Sequence, residues 1–342
     1  MRNPIDCFEV DPLSLKKIGT DLQRPECILA EPNGSLWSAD ARGGVMHIRP
    51  DGSQTLMAQQ VESRFSDTTD EASKFTSGTL PNGLAFVRNG DILISNFGTD
   101  RLELMTRTGE SKILHDTLNG RPIDKVNFVL RDSRDRVWIT VSTTISNWME
   151  ACSPNVIDGF IAVADEKGLR IVADNLHFTN EIRFDAKEEW LYAVEICGMK
   201  ITRFRVGPNA TLSHREIFGP ESHDAFIDGI TFDAFGNLWG THIMTDRIFA
   251  ITPDGDFRIL LDDENGSTEG KALLDTFTQD RVTPELQLAC GGTIANWMAS
   301  LTFGGPDLKT VYIGSLRGTT IPYFTASVAR LPMIHWNEGI KI

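Results

Sequence analysis

Six side chains in this sequence share one repeating position: Glu26, Asn82, Asn127, Asn180, Asp228 and Ser300. Each stands eleven residues ahead of a large apolar residue, respectively Trp37, Leu93, Trp138, Leu191, Trp239 and Val311. All six carry oxygen, two are carboxylates, and none is Lys, Arg or His. An ionised acid at the head of an apolar run such as "DGITFDAFGNLW" (228–239) is costly unless it is paired or binds a cation. Hard oxygens converging on one point are what a Ca²⁺-type ion requires. Thiolate and imidazole are missing from the set, which argues against a site selected for zinc. The plainer alternative is a row of polar residues hydrogen-bonded to water.

These side chains can meet only if a repeated element brings them together. Each copy reads as a polar residue, a short apolar strand, a turn and a second strand. "VMHIRPDGSQTLM" (45–57), "LELMTRTGESKIL" (102–114) and "IFAITPDGDFRIL" (248–260) add two further strands around a turn. Asp-Gly between alternating strands is a hairpin signal. The copies are 56, 45, 53, 48 and 72 residues apart. Four-stranded units of this length predict an all-β, six-bladed β-propeller with four antiparallel strands per blade and one central metal site. Its innermost strands line a channel, so residues at one phase form a ring. The segment "PLSLKKIGTDL" (12–22) is expected to add a strand to the last blade and close the circle. One domain is expected over residues 1–342. Residues 61–79 read as a loop insertion, and residues 262–299 as a longer one with a short helix near 270–277.

Composition narrows the function. With 47 acidic against 33 basic residues the formal charge is −14, and no basic cluster stands out. That argues against nucleic acid and anionic membrane as partners and leaves a small-molecule substrate. Five scattered cysteines without a CxxC pair suit a reducing compartment. "MRNPIDCFEV" has no apolar segment of the secretory kind, so a cytoplasmic protein is expected. GxSxG and P-loop patterns are missing, which removes the serine-hydrolase and nucleotide-triphosphate readings.

The stretches "RPECILAEPNGSLW" (24–37), "VNFVLRDSRDRVWIT" (126–140), "FTNEIRFDAKEEWLYAVE" (178–195), "DGITFDAFGNLW" (228–239) and "LTFGGPDLKTVYIGS" (301–315) resemble the gluconolactonase, regucalcin (senescence marker protein) and luciferin-regenerating enzyme family. The resemblance implies one catalytic divalent cation held by Glu26, Asn127, Asn180 and Asp228, four of the six residues in phase. Ca²⁺ is the expected ion; Mg²⁺, Mn²⁺ or Zn²⁺ can also occupy such a set. It implies hydrolysis of a lactone, sugar or small aryl or alkyl, with Asp228 both ligand and general base. Lys125 stands where the family has a substrate-binding Arg, and Phe128 where it often has Asp. Lys125, Asn82 and His242 are the expected substrate contacts. His177 and His242 are candidate proton shuttles, and Glu195 is a supporting acid. Phe128, Phe178 and Phe226 would suit a less polar ligand if they face the mouth. A metal-dependent isomerase or lyase acting on a carbonyl compound, and a non-catalytic cation-binding propeller, are the competing readings.

Overall fold

The computed structural model describes residues 2–61, 64–263 and 266–338. Six four-stranded antiparallel sheets stand around a central axis. Blade 1 runs Ile28–Ala30, Leu36–Ala39, Gly44–Ile48 and Gln54–Ala58. Blade 2 runs Pro81–Phe86, Ile92–Asn96, Arg101–Met105 and Ser111–His115. Blade 3 comprises Val126–Arg131, Val137–Val141, Gly159–Asp165 and Gly168–Leu176. Blade 4 comprises Thr179–Phe184, Trp190–Glu195, Lys200–Val206 and Leu212–Ile217. Blade 5 comprises Ile227–Phe232, Leu238–His242, Arg247–Ile251 and Phe257–Asp262. Blade 6 is Met298–Gly304, Thr310–Ser315 and Ile321–Thr325, completed by Lys16–Ile18, which pairs Lys16 with Tyr323 and Ile18 with Ile321. The N-terminal segment thus closes the ring, as its sequence implies, and covers the edge that the last sheet would otherwise expose.

The blades are glued by apolar faces and by a recurring indole bond. Trp37, Trp138 and Trp239 are fully buried between sheets. Their indole N–H groups donate to Glu31 (2.7 Å), Asp132 (2.8 Å) and Asp233 (2.9 Å), each six residues earlier in the turn between the first two strands. The buried indole and the buried acid each satisfy the other, a requirement for polar groups away from water.

The first insertion is more ordered than its sequence suggests, and the second contains the helix expected near 270–277. Residues 61–79 hold a helix, α1 (Glu71–Thr76), capped by Asp70, whose side chain accepts from the Ser73 amide. Residues 262–299 hold α2 (Thr268–Phe277) and α3 (Pro284–Ala289). Residues 62–63 and 264–265 of these insertions lie outside the described residues. What a sequence pattern could not supply is the packing that holds such short helices: Phe75 on Trp297 with ring centres 5.1 Å apart, and Phe277 on Phe226 at 5.0 Å. The carboxylate of Asp246 accepts amide protons from Gly292, Trp297 and Met298 and ties the second insertion to blade 5. Together with the turn Trp148–Ala151 these segments roof one end of the channel. A last helix, α4 (Ile334–Asn337), lies beneath blades 1 and 2, where His335 meets the Ala30 carbonyl at 2.9 Å and the Phe86 ring.

Candidate functional site

The ring residues are all buried, at 6 % exposure or less. They point inward because the inner strands are irregular at that phase. The register breaks between Pro81 and Leu84, Val126 and Phe128, Thr179 and Ile182, Ile227 and Ile230, and Met298 and Leu301. Bulges of this kind re-aim a side chain and tighten the local twist. Hydroxyls then tie four of the neighbouring blade pairs, and between blades 4 and 5 the Glu181 carboxylate accepts from the Ile230 amide. Ser95 donates to the Asn127 carbonyl (2.6 Å), Ser142 to Thr179 (2.8 Å), and Thr241 to Ala299 (2.8 Å). Ser300 donates to the Glu26 carbonyl. Gly83 and Gly229, directly after Asn82 and Asp228, allow the close approach. A Cβ at Gly229 would lie 2.4 Å from the Ala299 oxygen.

Within the ring, Asn180 donates its amide to Asp228 Oδ1. Asn82 donates to the Asn127 carbonyl (3.0 Å) and side-chain oxygen (3.2 Å). Glu26 faces Arg24, with Oε2 3.0 Å from Nη1. Arg24 also donates to the Pro81 carbonyl (3.0 Å) and to Asn82 Oδ1 (2.6 Å). Burial pushes the Glu26 carboxyl up to about 7, against the pull of Arg24. Burial, then the neighbouring charges of Glu26 and Glu181, push Asp228 well above the carboxylate range, partly offset by Arg24 and Asn180. Both carboxyls therefore resist ionisation where they stand, chiefly because they are buried.

The donor set fits a hard divalent cation. Asn180 Oδ1 is buried and accepts no hydrogen bond, so one amide oxygen is unused at the ring. Beside it stand the Asp228 and Glu26 carboxylates and Asn127 Oδ1. Among the described residues no group of three His, Cys, Asp or Glu is placed to hold a metal. The ligands on offer are therefore two carboxylates supplemented by amides, a Ca²⁺-like set.

Above the ring lies a cleft. Its walls are Phe97, Trp148, Phe178, Phe226, Ile243, Met244 and Leu316, and its floor holds Arg24, Glu26, Asn82, Asn127, Asn180 and Asp228. From the roof, Gln287 reaches the cavity; its amide donates to the Met149 carbonyl (3.2 Å) while its Oε1 accepts nothing. Trp148 is fixed by its own donation to the Phe75 carbonyl (2.5 Å).

Not every expected residue is here. Lys125 is buried but turned away; its ammonium pairs with Asp100 at 3.0 Å and lies over the Phe97 ring. It is absent from the cavity wall because it precedes the strand and the bulge at Asn127 breaks the alternation that would align them. His242 also lies outside, stacked on Phe249 and 3.1 Å from His223. Burial keeps His242 well below the usual imidazole range, so it is neutral. His177 meets Glu195 at 3.0 Å, apart from the cavity lining. Phe178 and Phe226 do wall the cleft, whereas Phe128 packs between blades under the Arg183 guanidinium. Arg24, Glu181, Trp148 and Gln287 carry no signal in the sequence that marks them for the site. Arg24 and Glu181 sit next to ring residues in sequence, yet only the folded strand shows that they share its charge.

Comparison with known proteins agrees with this architecture. Among curated protein sequences nothing matches significantly. Among solved structures, a luciferin-regenerating enzyme superposes with a TM-score of 0.67 at 15 % identity, covering 93 % of this chain and 98 % of that one. A gluconolactonase from Xanthomonas campestris gives 0.65 at 16 % identity over 94 % and 96 %. A calcium-binding protein, regucalcin, from Agrobacterium tumefaciens gives 0.63 at 15 % over 96 % of each chain. At these identities the structures speak for the fold alone. The SMP-30/gluconolactonase/LRE-like model, however, matches residues 24–262, from Arg24 just ahead of the first ring acid through the end of blade 5, and the chain belongs to that family.

Proposed function

We propose that this protein is a metal-dependent hydrolase that opens a lactone. One observation carries the reading: two strained carboxylates and an unused amide oxygen converge on the floor of a roofed, apolar cleft on the propeller axis. Glu26, Asn127, Asn180 and Asp228 would hold the ion. A divalent cation bound there supplies a Lewis acid for the substrate carbonyl and charge for the developing oxyanion. Asn180 grips Asp228 Oδ1, which leaves Oδ2 to take a proton from the attacking water. Water oxygen bonds to the carbonyl carbon, the ring C–O bond breaks, and the proton returns to the leaving alkoxide as a hydroxyl. Asn82, held by Arg24 and Asn127, would meet the substrate from the side. The walls offer aromatic and aliphatic surface and few hydrogen-bond donors, which favours an alkyl or aryl lactone over a polyhydroxylated sugar lactone. Cys7, Cys27, Cys152 and Cys197 are free thiols, in keeping with a reducing, cytoplasmic setting.

The test is a metal analysis of the purified protein, then a pH-drop assay over alkyl, aryl and sugar lactones before and after chelation. The expected result is hydrolysis with higher kcat/KM for the apolar lactones, lost on chelation and restored by the ion. Turnover that survives thorough chelation, or none on any lactone with the ion bound, overturns the reading.

A further inference from the structure

The axis below the cleft carries six buried charged side chains: Glu26, Glu181 and Asp228 against Arg24, Arg183 and Arg330. Arg183 pairs with Glu181 at 2.9 Å, and Arg330 lies within electrostatic reach of both. That leaves Arg24 facing Glu26 at 3.0 Å and the field of Asp228. Three acids and three guanidiniums cancel formally with no added ion. Arg24 is placed there at a backbone cost, since its φ of 55° lies in the left-handed region that a side chain rarely adopts. Its Nη1 and Nη2 bridge blade 1 to Pro81 and Asn82 of blade 2, while its Nε is buried without an acceptor. A guanidinium recruited only to staple two blades has no reason to point at the acid pair.

We propose that Arg24 is the resident counter-ion of the Glu26–Asp228 pair, and that a divalent cation binds against it, so that Arg24 sets the ion's affinity. The inference rests on the ion site proposed above. With both acids ionised, as a bound ion requires, Glu26, Asp228 and Arg24 together carry −1, and a divalent ion takes them to +1. With a neutral residue at position 24 the same ion takes the group from −2 to neutrality. Like charges close together in a medium of low dielectric repel strongly, so the arginine weakens the ion while it relieves the empty pair. It also leaves the loaded floor with one positive charge, which suits hydroxide and a developing oxyanion. Arg24 acts on the ion and on Glu26, and is therefore a positioning residue.

The experiment compares wild type with Arg24→Met, Arg24→Gln and Arg24→Lys, each stripped with a chelator and titrated with CaCl₂ by calorimetry, and each melted with and without Ca²⁺. Arg24→Gln keeps polar atoms near Asn82 and Pro81 but removes the charge, and serves if the methionine variant does not fold. Both neutral variants are expected to bind Ca²⁺ at least ~10-fold tighter, about 1.4 kcal/mol. They should melt below wild type when metal-free and gain more from Ca²⁺. Arg24→Lys should bind like wild type. Unchanged or weaker binding in the neutral variants overturns the proposal and makes Arg24 a support for Glu26 instead. Intact affinities with no hydrolysis of any lactone would count against the lactonase reading alone. No Ca²⁺ binding in wild type or any variant removes the ion site and this proposal with it.

Discussion

Replacing Asp228 with Asn separates what the carboxylate does for the fold from what it does for the ion. Asp228 is 2 % exposed, and Asn180 donates to its Oδ1. An asparagine has nearly the same shape and keeps an oxygen for that bond. What disappears is a charge that burial and the repulsion of Glu26 and Glu181 both oppose. A carboxylate held well above its ordinary pKa by burial destabilises the fold near neutral pH by about 1.4 kcal/mol for each pH unit of that rise, and a neutral amide is free of this cost. Taking ~2 kcal/mol, and ~2.1 cal/mol/K of unfolding entropy per residue over 342 residues, the metal-free variant should melt ~3 °C above metal-free wild type. In saturating Ca²⁺ the order should reverse. Wild type gains about 2.7 kcal/mol at a hundredfold excess over Kd, while the variant, short of one anionic ligand, gains little. Lactone turnover should fall by about 10²–10⁴-fold, the range for losing a general base. Differential scanning calorimetry with chelator and with Ca²⁺, beside a kinetic assay, measures all three. A variant that melts lower without metal, or that turns over like wild type, would refute the claim that Asp228 is a destabilising acid kept for the ion.

Two further outcomes follow from the surroundings of the site. Burial pushes the His335 imidazole down to about 4, against ~6.5 in the unfolded chain. A depressed histidine is neutral in the fold, so its contribution is complete above pH 6.5 and is lost as pH falls toward 4. At ~1.4 kcal/mol per pH unit this amounts to about 3 kcal/mol. His335→Gln can still donate to the Ala30 carbonyl and should flatten the decline by that amount in urea titrations between pH 7.5 and 4.5; parallel slopes would contradict it. Gly229→Ala would set a methyl 2.4 Å from the Ala299 oxygen and 2.7 Å from Ser300 Cα. It should cost about 1–3 kcal/mol and, by shifting Asp228, weaken Ca²⁺ binding, both visible in melts with and without the ion.

The contrast between Asn127 and Lys125 shows where sequence reasoning stops. The phase of Glu26, Asn82, Asn127, Asn180, Asp228 and Ser300 is legible because it is tied to repeated features: an apolar strand after each residue and an apolar anchor eleven residues on. Those features are local, they recur, and they survive variable turns, so the six blades and the ring can be read directly. Lys125 lies two residues before Asn127, and two residues along a regular strand means the same face. The inference fails because the strand is not regular there. The register breaks between Val126 and Phe128, and Lys125 swings to Asp100 while Asn127 turns to the axis. The same kind of break accompanies five of the six ring positions. The device that aims the ring therefore also hides its neighbours from any rule of alternation. Arg24 is missed for a related reason: no pattern of apolar residues announces a left-handed φ, and only that turn brings its guanidinium back over Glu26. The roof is illegible in another way. Phe75, Trp148 and Gln287 come from segments far apart in the chain and acquire meaning only by touching one another and the cleft. Repetition thus writes the oxygen ring plainly, whereas charge balance and cavity polarity, which decide how tightly an ion is held and what enters, belong to residues that occur once.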